Sequence, residues 1–153
     1  MPKLHVGERA PEFSTTIHDG STIRLTDFLD QRALVLFFYP RDGTPVCTKE
    51  ACSFGKAYAE FAAAGAEVVG ISGDSAKRHQ AFAKQHGLPF PLISDADGSL
   101  RKRFGLTPAP RLIPRRVTYV IDRKGFVRLA YSALFAADEH VRRALKVLTD
   151  DLR

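Results

Sequence analysis

Six consecutive apolar residues, Ala33 to Phe38, constrain the chain more than any other stretch. A run of strand length with no polar face belongs in the middle of a sheet covered on both sides. It leads into Tyr39-Pro40-Arg41-Asp42-Gly43-Thr44-Pro45, a loop of turn formers, and then into a helical pattern from about Cys47 to Ala64, stopped at Gly65. A strand, a short loop and a helix start bring unpaired backbone N–H groups to one point. A thiol there has its thiolate stabilised by those groups and by the helix dipole. Cys47 holds that position and is the candidate nucleophile. Pro45 biases Thr44 toward extended backbone, which aims the Thr44 hydroxyl at the mouth of the helix. Pro40 closes the strand with an apolar wall that lacks an N–H donor. Glu50 reads equally as a carboxylate favoured by the helix dipole and as an ordinary helix-start residue.

The flanking pattern builds an α/β sandwich around a mixed sheet. Thr15–Ile17 and Ser21–Leu25 read as a β-hairpin turning at His18-Asp19-Gly20. Thr26 to Leu29 reads as a short helical element capped by Thr26 or Asp27. Glu67–Ser72 is a second central strand, and a helix capped by Asp74 or Ser75 runs to His86 and ends at Gly87. Leu92–Ser94 is a short strand, Ser99–Phe104 one or two helical turns, and Leu106–Pro114 an irregular proline-rich loop. Val117–Asp122 pairs with Phe126–Tyr131 across a turn at Arg123-Lys124-Gly125. A helix from Ala137 or Asp138 to Leu152 turns Val141, Ala144, Leu145 and Leu148 inward.

Length and charge narrow the function. The 153 residues suit one domain with a full core, spanning 1–153. No apolar run approaches the roughly 20 residues of a membrane span, and the first residues lack the apolar core of a secretory signal, so a cytoplasmic protein is expected. Two cysteines in such a chain are reactive or buried thiols rather than structural staples. Neither a metal nor a cofactor is expected: Cys47 and Cys52 lack C-x2-C spacing, and the five histidines (His5, His18, His79, His86, His140) are scattered and read as surface or packing residues. The net charge of +6 is uneven, with 13 Lys/Arg against 5 Asp/Glu in residues 101–153. Those cations come in short clusters without an aromatic stacking platform, so they read as a solvated face rather than a nucleic-acid or membrane surface.

Pro40-x-x-x-Thr44-x-x-Cys47 resembles the active-site signature of the peroxiredoxins, thiol peroxidases on a thioredoxin-like fold. The longer string from Phe38 to Cys52 resembles the Q-type (bacterioferritin-comigratory) subfamily, many members of which carry a second cysteine five residues after the first. Val69–Ser75 and Gly87–Asp95 are also similar to that subfamily, while the proline-rich loop departs from it. The resemblance implies a thioredoxin-like α/β fold with a mixed sheet flanked by helices and an N-terminal hairpin. It also implies a peroxidase in which Cys47 attacks a hydroperoxide, Thr44 and an arginine hold the peroxide, and Pro40 shields the site. Cys52 would then resolve the sulfenic acid as an intrachain Cys47–Cys52 disulfide, recycled by a thioredoxin- or glutaredoxin-like reductant.

Arg116 is the arginine that matches, because Arg116-Val117-Thr118-Tyr119-Val120-Ile121-Asp122 resembles the family's strand-borne arginine, with Arg111 as the fallback. Cys52 also reads as a small buried helix residue, in which case Cys47 acts alone with an external thiol. The family's insertion and tail tied to over-oxidation are missing, which implies a robust enzyme and a monomer or weak dimer. A disulfide oxidoreductase is disfavoured because Glu50 stands where its second cysteine belongs.

Overall fold

The computed structural model describes residues 4–40, 42–106, 116–133 and 137–150. An antiparallel hairpin, β1 (Ser14–Thr16) and β2 (Thr22–Arg24), precedes a five-stranded sheet. That sheet contains β3 (Ala33–Phe38), β4 (Ala66–Ser72), β5 (Leu92–Ser94), β6 (Val117–Ile121) and β7 (Val127–Ser132), in the order β5-β4-β3-β6-β7. β3 pairs parallel with β4 and antiparallel with β6, so the sheet is mixed. All six residues of β3 are buried, as an apolar run without a polar face requires.

Alternating β3 side chains feed two separate cores. Val35 and Phe37 pack under the helices α1 (Pro45–Lys56), α2 (Tyr58–Ala63), α3 (Ala76–His86) and α5 (Ala137–Asp150). Leu34, Leu36 and Phe38 face the other way, against the hairpin, Phe28 and the short helix α4 (Ser99–Arg103).

Several boundaries differ from expectation. The helix after the loop begins at Pro45, not Cys47, because Pro45 fits the first helical position, where no N–H is needed. It also breaks at Ala57 into α1 and α2, following the weak helix formers Ser53 and Gly55. The short element after β2 is a 3-10 turn over Leu25–Asp27, and the Asp27 carboxylate accepts from the Arg24 N–H behind it at 3.0 Å. Ser75 is the cap of α3, accepting from Arg78 N–H at 3.2 Å. The proline-rich loop beyond Leu106, Arg111, Arg115 and the end of the last helix at Leu152 lie outside the described residues.

Candidate active site

The loop from β3 delivers Cys47 to the third position of α1, one turn after its N-cap, Thr44. Thr44 is extended (φ −76°, ψ 150°), as a residue before proline must be, and its carbonyl takes the first helical hydrogen bond, from Thr48 N–H at 2.8 Å. The N–H groups of Val46 and Cys47 therefore have no partner within the helix, and Pro45 has none to offer. They form the positive end of the dipole around a sulfur that is fully buried. The Thr44 hydroxyl does not cap the helix. Half-buried Pro40 stands at the end of β3, at the start of this loop.

Strand register supplies the cation. Phe38 is opposite Val117, so Arg116, one residue earlier, lies beside the exit of β3 where the loop begins. Its Nη1 donates to Cys47 Sγ at 3.0 Å although 69 positions separate them, and the side chain is almost wholly buried. A fixed guanidinium at the sulfur stabilises negative charge there.

Behind Arg116 lies a group that the pattern did not reveal. Cys47, Glu50, Ala51 and Phe54 form the inward stripe of α1, all 0% exposed. Glu50 is thus not a helix-start carboxylate but a buried one, with Oε1 3.5 Å from Arg116 Nη1 and Oε2 3.7 Å from His140 Nδ1 of α5. Both are long contacts, beyond the usual range of about 2.7–3.2 Å for a hydrogen bond, and neither oxygen has a well-formed hydrogen bond among the described residues. Burial pushes the Glu50 carboxyl up to about 7, against the opposing pull of Arg116.

His140 is likewise fully buried, and burial lowers its pKa. Its Nε2 faces the Ala133 carbonyl at 3.2 Å and its Nδ1 the Thr118 hydroxyl at 2.8 Å. A carbonyl only accepts, so the neutral ring carries its proton on Nε2 and Nδ1 accepts from Thr118. His140 shares a face with Ala144 and Leu148, spaced by four, and that apolar stripe is the signal that marks it as buried.

A second buried polar cluster anchors the loop. The Tyr39 hydroxyl donates to Asp42 Oδ1 at 2.5 Å, and Asp42 Oδ2 meets His79 Nδ1 at 2.5 Å. Asp42 N–H donates to Asp74 Oδ2 at 2.7 Å, and Asp74 also accepts from the Ser72 hydroxyl. His79, like His140, is no surface histidine. Asp42, Asp74 and His79 bring metal-ligand atoms within 4.8 Å of one another, but these atoms are already bonded to each other and to neighbours.

Cys52 lies further along α1, half-buried and off the inward stripe, and both cysteines are free thiols. The structure therefore joins Cys47 directly to Arg116, keeps Thr44 and Pro40 on the same loop, and leaves Cys52 on an intact helix. A recess of about 670 Å³ near Phe13, Arg24 and Arg103 includes none of these residues.

A buried thiol at a helix start, held by a strand-borne arginine on a mixed α/β sheet, defines a thioredoxin-like thiol enzyme. Residues 6–130 match the AhpC/TSA family, and the chain belongs to that family. It is a thiol-dependent peroxidase of the peroxiredoxin Q kind. The chain is 45% identical over 148 residues to a chloroplastic peroxiredoxin Q of Populus jackii, spanning 95% of this chain and 68% of that one. The structure of peroxidoxin BcpB from Mycobacterium tuberculosis superposes with a TM-score of 0.89 at 37% identity, covering 95% and 97% of the two chains. A mutant of Xylella fastidiosa PrxQ superposes with a TM-score of 0.90 at 25% identity over 100% of both.

Proposed function

We propose that the chain reduces hydrogen peroxide and organic hydroperoxides as an atypical two-cysteine enzyme, with Cys47 as the peroxidatic and Cys52 as the resolving residue. The observation that carries this reading is the donation from Arg116 Nη1 to the Cys47 sulfur at 3.0 Å in a buried niche. In the first step the Cys47 thiolate attacks the terminal oxygen of ROOH. The O–O bond breaks, Cys47 becomes a sulfenic acid, and the leaving RO⁻ takes a proton to give ROH. Arg116 and Thr44 polarise the peroxide and stabilise the developing charge, while Pro40 keeps water from the sulfur. In the second step the Cys52 sulfur displaces the sulfenic oxygen as water and an intrachain disulfide forms. Two electrons from a dithiol protein of the thioredoxin or glutaredoxin type restore both thiols.

Resolution requires α1 to open. Five residues along a helix rise about 7.5 Å and leave the side chains roughly 140° apart. Cα atoms more than about 7 Å apart are not bridged without backbone movement.

The test is intact mass before and after one equivalent of hydrogen peroxide, for the wild type and for Cys52→Ser. Loss of two hydrogens in the wild type, with sulfenic or over-oxidised Cys47 in the variant, is expected. An unchanged mass in both overturns the peroxidase cycle, and oxygen addition in both overturns the role of Cys52.

A further inference from the structure

Glu50 is the anomaly of the site: a carboxyl that no solvent reaches, whose two oxygens have no well-formed hydrogen bond among the described residues. Buried polar groups are rarely left so, and an unmatched carboxylate is far costlier than an unmatched carboxylic acid. The reason lies in how its neighbour is held. His140 spends its Nε2 proton on the Ala133 carbonyl, and the Thr118 hydroxyl occupies Nδ1. The ring edge facing Glu50 Oε2 at 3.7 Å thus carries a lone pair and no proton.

We propose that His140 is a positioning residue for the peroxide step: by withholding a hydrogen bond from Glu50 it keeps Glu50 protonated, and so keeps Glu50 from neutralising Arg116, the cation at the Cys47 sulfur. Arg116 faces both partners, with Nη1 3.0 Å from Cys47 Sγ and 3.5 Å from Glu50 Oε1. A negative Glu50 would compete with the sulfur for the same guanidinium, and a neutral Glu50 does not. The Cys47 sulfur and an ionised Glu50 would therefore compete for one arginine, and His140 sets the balance.

Among the described residues, the charged and titratable groups facing this centre come from four elements, α1, β6, β7 and α5. α1 contributes Cys47 and Glu50, and the start of β6 contributes Arg116. α5 contributes His140, which Glu139 influences from the same helix and against which the Tyr131 ring packs edge-on at 4.7 Å. Arg143 covers the Tyr131 ring at 4.4 Å. Burial, and after it Arg116, lowers the His140 pKa and so favours the neutral ring, and burial raises the affinity of Glu50 for its proton.

This inference rests on Cys47 being the peroxidatic residue. The experiment is the second-order rate constant for oxidation of the fully reduced chain by hydrogen peroxide from pH 5.5 to 9, for the wild type, His140→Asn and Glu50→Gln. The wild-type constant is expected to pass a maximum and fall about tenfold on the alkaline side, the size of losing one charge-assisted hydrogen bond at the sulfur. Glu50→Gln abolishes that fall. His140→Asn puts an amide N–H where Nδ1 stood, stabilises the Glu50 carboxylate, and moves the fall to lower pH.

A wild-type rate that only rises to a plateau, or a His140→Asn profile that overlies the wild type, overturns the inference while leaving the peroxidase reading intact. Absence of Cys47 oxidation at every pH overturns that reading and this inference with it. Carbon-13 titration of the Glu50 carboxyl in the reduced wild-type chain needs no variant and no peroxide. A midpoint near neutrality supports the inference, and one in the ordinary carboxylate range overturns it.

Discussion

At the scale of single residues, the site depends on the Arg116 guanidinium, which donates to the Cys47 sulfur and lies 3.5 Å from Glu50. Arg116 donates to Cys47 through a planar fork, which the point charge of lysine does not reproduce. Arg116→Lys is expected to lower the rate constant for Cys47 oxidation by about 10- to 100-fold, the cost of a hydrogen bond to a charged group. Stopped-flow measurement of sulfenic acid formation checks this, and a change below threefold would refute it. Glu50 makes a separate prediction about stability. Its folded-state pKa is raised to about 7 from 4.5, so the folded chain holds this proton more tightly than the unfolded one. The stability Glu50 contributes is fully present below about pH 4.5 and is lost as pH rises toward 7. The loss is on the order of 3 kcal/mol. His140 works in the opposite direction, because its lowered pKa costs stability as the pH falls. Denaturant unfolding of wild type and Glu50→Gln separates the two: the wild-type stability minus that of the variant should decline between pH 5 and 8. A flat difference would show that Glu50 titrates normally.

At the scale of elements, α1 carries both cysteines of the proposed redox cycle. In the reduced state it is a continuous helix through Cys47 and Cys52, tied to α5 by the Ser53 hydroxyl donating to Asp138 at 2.8 Å. Oxidation should raise amide exchange in residues 45–56, read by mass spectrometry on the reduced and disulfide forms, while β3 stays protected. Equal protection in both forms would mean that the disulfide forms without α1 opening. Gly55 offers a test of that opening. A Cβ there would meet Leu88 and Pro89 at 3.6 Å, ordinary contact, so alanine fits and favours the helix by about 0.5–1 kcal/mol. Gly55→Ala should therefore slow disulfide formation up to about fivefold without changing the first oxidation step.

What the sequence disclosed at this scale follows from how local each feature is. The unbroken run of β3, the extended Thr44 before Pro45, a cap at Asp74 or Ser75 and the strand after Arg116 are each fixed by neighbouring residues, and each was legible. Glu50 and His140 were not, because their burial is decided where α1 packs on α5, far apart in sequence. A charged residue inside an apolar helical stripe was the available sign. The break at Ala57 had only Ser53 and Gly55 to announce it.

At the scale of the whole molecule, β3 joins two cores that share nothing else so central. Val35 and Phe37 belong to the helical side, and Leu34, Leu36 and Phe38 to the hairpin side, so neither core survives loss of the strand. Damage beside β3 should thus melt both together. Gly70 of β4 sits opposite Phe37, and a Cβ there would come within 2.7 Å of Leu92 Cδ2 and 2.8 Å of Phe37 Cζ. Phe37 has little room to yield, because its ring stacks on Phe54 at 4.5 Å and meets Phe90 edge-on at 5.5 Å. Overpacking of this kind costs about 1–3 kcal/mol, so Gly70→Ala should lower Tm by roughly 2–12 °C. The decisive feature is the shape of the transition. Far-UV circular dichroism reports both layers, while the peroxide reactivity of Cys47 reports only the helical side. In the variant the two should fall in one coincident step, because Phe37 and Phe38 are adjacent residues of the same strand. Loss of Cys47 reactivity well before loss of the sheet would show instead that the helical layer unfolds alone. In that case the opening of α1 needed for the disulfide would draw on a layer already poised to detach.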